Sequence, residues 1–128
     1  MRFFFIKLFL FLLFISKSIL AEHIEISQKK VNEMANYMQC DVYFLIMHNL
    51  AKDKKLPNAN VGDEILYLKR QNEFYKKATD YSIEVHLHPD VFKGLYEAVS
   101  GKVFELGNSE NLIKVMKKKC DLLYETIK

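Results

Sequence analysis

One stretch of this chain is too apolar to keep a solvent side. Within residues 27–52, Val31, Met34, Ala35, Met38, Val42, Leu45 and Ile46 recur at helical spacing and form one stripe. Tyr37, Cys40, Phe44 and Met47 form a second stripe on the opposite side. From Val42 to Met47 every face is apolar, and a helix of that kind is packed on more than one side. The pattern predicts a central helix over 27–52 with others gathered around it. Its start, with Asn32, Glu33 and Asn36, is more polar on the back.

The remaining segments supply those neighbours. Only four glycines and two prolines occur, with long stretches free of both, a composition that favours helices. Pro57 and the polar residues around it, 53–60, read as a loop. Asn60 followed by Asp63 resembles a capping box and opens a second helix running to about Val85. Its apolar face is Tyr67, Phe74, Tyr75, Ala78, Tyr81 and Val85, with Ile65 and Leu68 towards its other sides and Lys69, Arg70, Lys76 and Lys77 solvated. Pro89 and Asp90 suit the start of a third helix, Pro89 to about Ser100, which offers Val91, Phe92, Leu95, Tyr96 and Val99. Gly94 within it reads as a weak point or a close approach of another helix, and Gly101 as its end or a bend. The run 103–106 reads either as a further helical turn or as loop. Asn108 or Ser109 caps a last helix whose inner face is Leu112, Ile113, Met116, Cys120, Leu123, Tyr124 and Ile127. The expected fold is all-α, a compact bundle of four to five helices.

The first 21 residues are set apart. Arg2 and Lys7 flank a phenylalanine cluster, the apolar run 8–15 follows, and Ala21 precedes Glu22. That order predicts a cleaved secretory signal peptide, residues 1–21, ahead of a single helical domain, 22–128, with an uncleaved anchor as the rival reading. The apolar run is too short for a bilayer, which needs about 20 residues, so no membrane span is expected after cleavage. Removing 21 of 128 residues leaves 107, about one small domain. Three of the 19 basic residues, Arg2, Lys7 and Lys17, leave with the signal, so 16 basic residues face 16 acidic ones. A balanced chain lacks the positive excess that nucleic-acid binding asks for.

Cys40 and Cys120 both remain after cleavage. In an oxidising compartment an even pair reads as a disulfide, with two buried thiols as the alternative. Closing a loop of about 80 residues removes unfolded-state entropy amounting to roughly 4 kcal/mol. Both cysteines face inward on their helices, so the first and last helices are expected to be neighbours. There is no N-x-Ser/Thr sequon and no cysteine directly after the signal. These features fit a bacterial periplasmic or secreted protein without a lipid anchor.

Few residues carry candidate chemistry. His86 and His88 sit two apart before Pro89, an extended setting in which both rings share a side, so they are the candidate metal ligands; the competing reading is a polar turn at a helix start. Tyr67, Tyr75, Tyr81 and Tyr96 are the candidate binding residues, because a tyrosine ring with its polar tip suits a pocket wall as well as a core. The basic run 114–119 reads as a solvated helix face or as a docking patch for an acidic partner. No G-x-S-x-G, H-E-x-x-H or glycine-rich phosphate loop occurs, and a disulfide removes the thiolate that cysteine catalysis requires. Acidic residues look scattered over exposed faces. Neither an enzyme nor a cofactor is expected.

The segments 37–44 and 118–123, each with its cysteine inside a helix, resemble small two-cysteine, all-helical exported bacterial proteins, most of them uncharacterised. The resemblance implies a periplasmic helical bundle and carries over no catalytic residue. The expected function is non-covalent binding of another protein, as an inhibitor or an immunity-type protein. Two alternatives stand beside it: a carrier of a small apolar ligand, and a periplasmic acid-stress or folding helper.

Overall fold

The computed structural model describes residues 28–128, so the expected signal segment and its cleavage after Ala21 lie outside the described residues. The chain divides into two compact units, Met1–Asn32 and Glu33–Lys128. Of the first, only the opening of a helix is described, where Gln28 donates to the Asn32 side chain at 3.2 Å. Four helices run through the described residues: α1 over 28–52, α2 Val61–Glu84, α3 Pro89–Phe104 and α4 Ser109–Ile127. The fold is an all-α bundle, and among the described residues no helix is long and apolar enough to cross a membrane.

The helix starts are set by side chains that accept the first orphan backbone N–H groups. The Asn60 side chain accepts from the Asp63 N–H at 2.9 Å, and the Asp63 carboxylate accepts from the Asn60 N–H at 3.0 Å, closing the capping box. His88 caps α3, its Nδ1 accepting from the Asp90 N–H at 3.1 Å with Pro89 at the first helical position. Asn108 caps α4 through the Asn111 N–H at 2.9 Å. Gly107 precedes it at φ 83°, a left-handed conformation that glycine adopts without strain.

α3 departs from the expected pattern. It passes through Gly101 and ends at Phe104, so 103–104 are helical. A Cβ added at Gly94 or Gly101 would meet nothing within 4 Å, so neither glycine marks a close helix approach.

α1 is the central helix, with Met34, Met38, Cys40, Asp41, Val42, Tyr43, Phe44 and Met47 all buried; Leu45 reaches the surface. Two clusters make the core. The larger gathers Cys40, Phe44, Phe74, Val103, Leu112, Met116, Cys120 and Tyr124. Phe44 and Phe74 stack at 5.9 Å, and Phe74 meets Tyr124 at 6.1 Å. Cys40 and Cys120 form the disulfide here, with Cα atoms 5.3 Å apart, which makes α1 and α4 neighbours. The smaller cluster is Met34, Met38, Ala78 and Val99, with Tyr37, Tyr81, Leu87, Phe92 and Leu95 packed against it.

Arg70 corrects the reading of α2 as carrying only solvated cations. Its guanidinium lies 4.5 Å from the Tyr124 ring centre and 5.5 Å from that of Phe44, and donates to Asp121 at 2.8 Å. A long stem over apolar surface with a head over ring faces and one carboxylate is a packing element as much as a charge.

Candidate binding surface

The centre of α1 holds a carboxylate where the sequence has apolar neighbours on both sides. Asp41 is wholly buried, which corrects the expectation that acidic residues sit on exposed faces. Gln71 on α2 donates Nε2–H to Oδ1 at 2.6 Å, and the Tyr96 hydroxyl on α3 approaches the same group. Oδ2 has no partner of hydrogen-bond geometry among the described residues. Burial holds this carboxyl above the ordinary 3.8, with Gln71 and Tyr96 pulling it back. Burial also raises the Tyr96 hydroxyl, and its hydrogen bond to Asp41 adds to that.

Gln71 and Tyr96 belong at once to this carboxylate and to the surface. Together with Asn72, Tyr75, Phe92, Lys93 and Glu97 they line an open cleft of about 600 Å³ between α2 and α3. Tyr75 meets Tyr96 edge-on at 6.3 Å, and Phe92 stacks on Tyr96 at 6.4 Å. The cleft therefore has aromatic walls, a polar floor and a buried acid behind that floor.

Two of the four candidate tyrosines, Tyr75 and Tyr96, meet here. The other two do not. Tyr67 stacks on Phe44 at 6.2 Å, and burial raises its hydroxyl. Tyr81 packs against Tyr37 at 5.4 Å, and its hydroxyl is raised first by a hydrogen bond with Glu33. His86 sits in a turn at φ 55°, and the His88 Nδ1 is engaged in capping α3. Among the described residues no group of three or more histidine, cysteine or acidic side chains is placed to hold a metal. The basic run on α4 is partly paired: Lys117 donates to Asp121 at 2.7 Å and Lys119 to Gln39, and burial lowers the Lys119 ammonium.

The cleft continues onto an outer face of α2. Val61, Ile65, Tyr75 and Ile83 are 71, 64, 47 and 67% exposed, and Leu68 is 40% exposed. Val61, Ile65, Leu68, Asn72, Tyr75 and Thr79 alternate steps of four and three along α2, the spacing of a coiled-coil seam. This face is turned away from the core side marked by Phe74, Ala78 and Ser82. Lys69 and Lys76, both exposed, follow Leu68 and Tyr75 directly and flank the seam.

Asp41 and Gln71 escaped sequence reasoning. The available signal was an acid inside an otherwise apolar run, Cys40-Asp41-Val42-Tyr43-Phe44. No protein-family model matches the chain, and neither a curated protein nor a solved structure matches it.

Proposed function

We propose that this chain is an exported, non-enzymatic protein-binding module whose α2 outer face receives an amphipathic helix of another protein. The observation that carries the reading is the seam of Val61, Ile65, Leu68 and Tyr75, which leaves large side chains in water at the spacing that two packed helices use. Helix-in-groove recognition reads such anchors at i, i+3, i+4 and i+7. Asn72 in the middle of the seam would fix register at some cost in affinity.

Charge selects the occupant. Lys69 and Lys76 ask for acidic residues beside the apolar stripe of the partner. A second copy paired antiparallel about Asn72 would set lysine against lysine, so another protein is the better fit. The Cys40–Cys120 disulfide supports an oxidising compartment, periplasmic or secreted, and leaves no free thiolate for catalysis. A rigid stapled scaffold presenting one helix face suits an inhibitor or an immunity-type protein. The α2–α3 cleft favours a second reading, a carrier of a small ligand.

A photo-crosslinking residue at Ile65, in the protein expressed in its own cells, tests the main reading. The expected product joins position 65 to a helical segment with acids flanking an apolar stripe, and the same probe at exposed Lys118 gives no such product. Equal crosslinking from both positions, or crosslinking at 65 only to a second copy of the chain, would overturn it.

A further inference from the structure

We propose that the α2–α3 cleft binds a small organic ammonium ion with a flat apolar body, the charge favoured by Asp41 behind Gln71 and Tyr96 and the body held by Tyr75, Phe92 and Tyr96. The proposal rests on the small-ligand reading of this cleft; the site shares Asn72 and Tyr75 with the outer seam of α2 but needs no protein partner.

Asp41 motivates the charge. A wholly buried carboxylate is costly unless it is paired, and the groups that act on this one, Gln71 and Tyr96, are both neutral. Asp121 shows the contrast within the same molecule, since it is held by Arg70 at 2.8 Å and Lys117 at 2.7 Å. Oδ2 of Asp41 remains without a hydrogen-bond partner among the described residues, and the groups that act on the carboxyl include no cation. At the mouth of the cleft Lys93 and Glu97 cancel formally, leaving Asp41 to set its sign.

The rings motivate the rest. Aromatic faces attract cations through their quadrupole, most strongly where water is partly excluded. Tyr75, Phe92 and Tyr96 supply three rings around one opening, and about 600 Å³ lies within the range of small-molecule sites. The two residues that reach the carboxylate also line the cleft, so a guest on the floor is one side chain from Asp41. An ammonium there stays behind that one side chain from the carboxylate and feels its charge at short range in a poorly solvated setting, while the Gln71 amide, whose nitrogen holds Asp41, can present its oxygen to the same cation.

The test titrates the intact protein with 2-phenylethylammonium chloride and, separately, with uncharged 2-phenylethanol, following the ring proton signals of Tyr75, Phe92 and Tyr96 by NMR. The ammonium is expected to move all three rings and to bind at least about tenfold more tightly than the alcohol, a difference of about 1.4 kcal/mol. Asp41→Asn is expected to remove that preference while leaving the weak alcohol binding in place. Tyr75→Ser changes a half-exposed wall without touching the core, and is expected to weaken both ligands. Ile65→Ser, which breaks the seam, is expected to leave ammonium binding unchanged, so the two functional readings fail separately. Equal affinity for the charged and neutral ligands, an unchanged preference in Asp41→Asn, or unmoved ring signals would each overturn the proposal. The comparison of ligands on the parent protein decides even if Asp41→Asn does not fold.

Discussion

Around Cys120 the core is built of rings and a covalent bond, with Phe44, Phe74, Tyr43 and Tyr124 packed beside the disulfide. Around Met38 it is built of Met34, Met38, Ala78 and Val99, with partly buried rings of Tyr37, Tyr81, Phe92 and Tyr96 against it and no crosslink. The elements differ in the same direction. α4 buries Leu112, Met116, Cys120 and Tyr124, whereas α3, three residues shorter, buries only Val99 and Val103 and carries Gly94 and Gly101 in its interior. Each cluster holds two buried methionines, Met47 and Met116 in one and Met34 and Met38 in the other, so the crosslink and the depth of helix burial are what separate them. The cleft lies at this second end, between α2 and α3, and the unpaired Asp41 lies behind it. The proposed cleft thus lies beside the helix that buries the fewer side chains, where a smaller cost of local opening is expected, while the stapled end holds the frame.

The largest way to break this contrast is to cut the staple. Cys40→Ala with Cys120→Ala opens a loop of 80 residues and is expected to cost roughly 4 kcal/mol in chemical denaturation, on the loop-closure model. A loss below about 1 kcal/mol would mean that packing alone holds that end together. At the other end, Met38→Ala empties a fully buried site and is expected to cost about 2–4 kcal/mol. It should also blunt the chemical-shift dispersion of α3, while the Phe74 and Tyr124 ring signals stay put.

The contrast can also be sharpened by repairing α3. Gly94→Ala and Gly101→Ala each remove backbone freedom from the unfolded chain, and the added methyl meets nothing within 4 Å. Each is expected to stabilise by about 0.5–1 kcal/mol. Destabilisation by either change would show that α3 packs more tightly at its glycines than its geometry indicates.

The smallest expected effect is pH-dependent. Burial holds the Asp41 pKa above the 3.8 of an exposed aspartate, so the folded chain takes up this proton more readily than the unfolded chain. Its contribution to stability therefore falls as pH rises from about 3.8 through the higher folded value, and stays low above it. Asparagine does not ionise. Asp41→Asn should gain stability over the parent across that rise, seen as a Tm difference that is present at neutral pH and shrinks in acid. A difference independent of pH would mean that Asp41 has a counter-ion. The same substitution is expected to abolish the ammonium preference, a trade of function for stability.

Much of this was legible in the sequence, for reasons that are local. Caps announce helix starts because Asn60, Pro89 and Asn108 act on neighbours one turn away. The two cysteines could be paired because each lies on an inward stripe. What escaped depends on contacts far along the chain. Arg70 looks like its solvated neighbour Lys69 until Asp121, 51 residues on, and the Tyr124 ring are in place. By spacing Tyr75 reads with Tyr67 and Tyr81 on one apolar face, yet a step of about 100° from buried Phe74 carries it outward, into the seam and the cleft wall. Ile65 and Leu68 read as lying off that face, and their spacing already lines them up with Val61 and Tyr75; that this line faces solvent depends on which side of α2 the other helices cover. A glycine in a helix does not announce what stands opposite it, so Gly94 read equally as a contact and as a weakness.

Native-state hydrogen exchange, resolved helix by helix, tests the contrast between the two ends most directly. Amides of α4 around Cys120 and of α2 around Phe74 should exchange only through global unfolding, and those of α3 through a smaller opening at lower free energy that closes up when the cleft is filled. Equal protection in α3 and α4, unchanged by 2-phenylethylammonium, would contradict it.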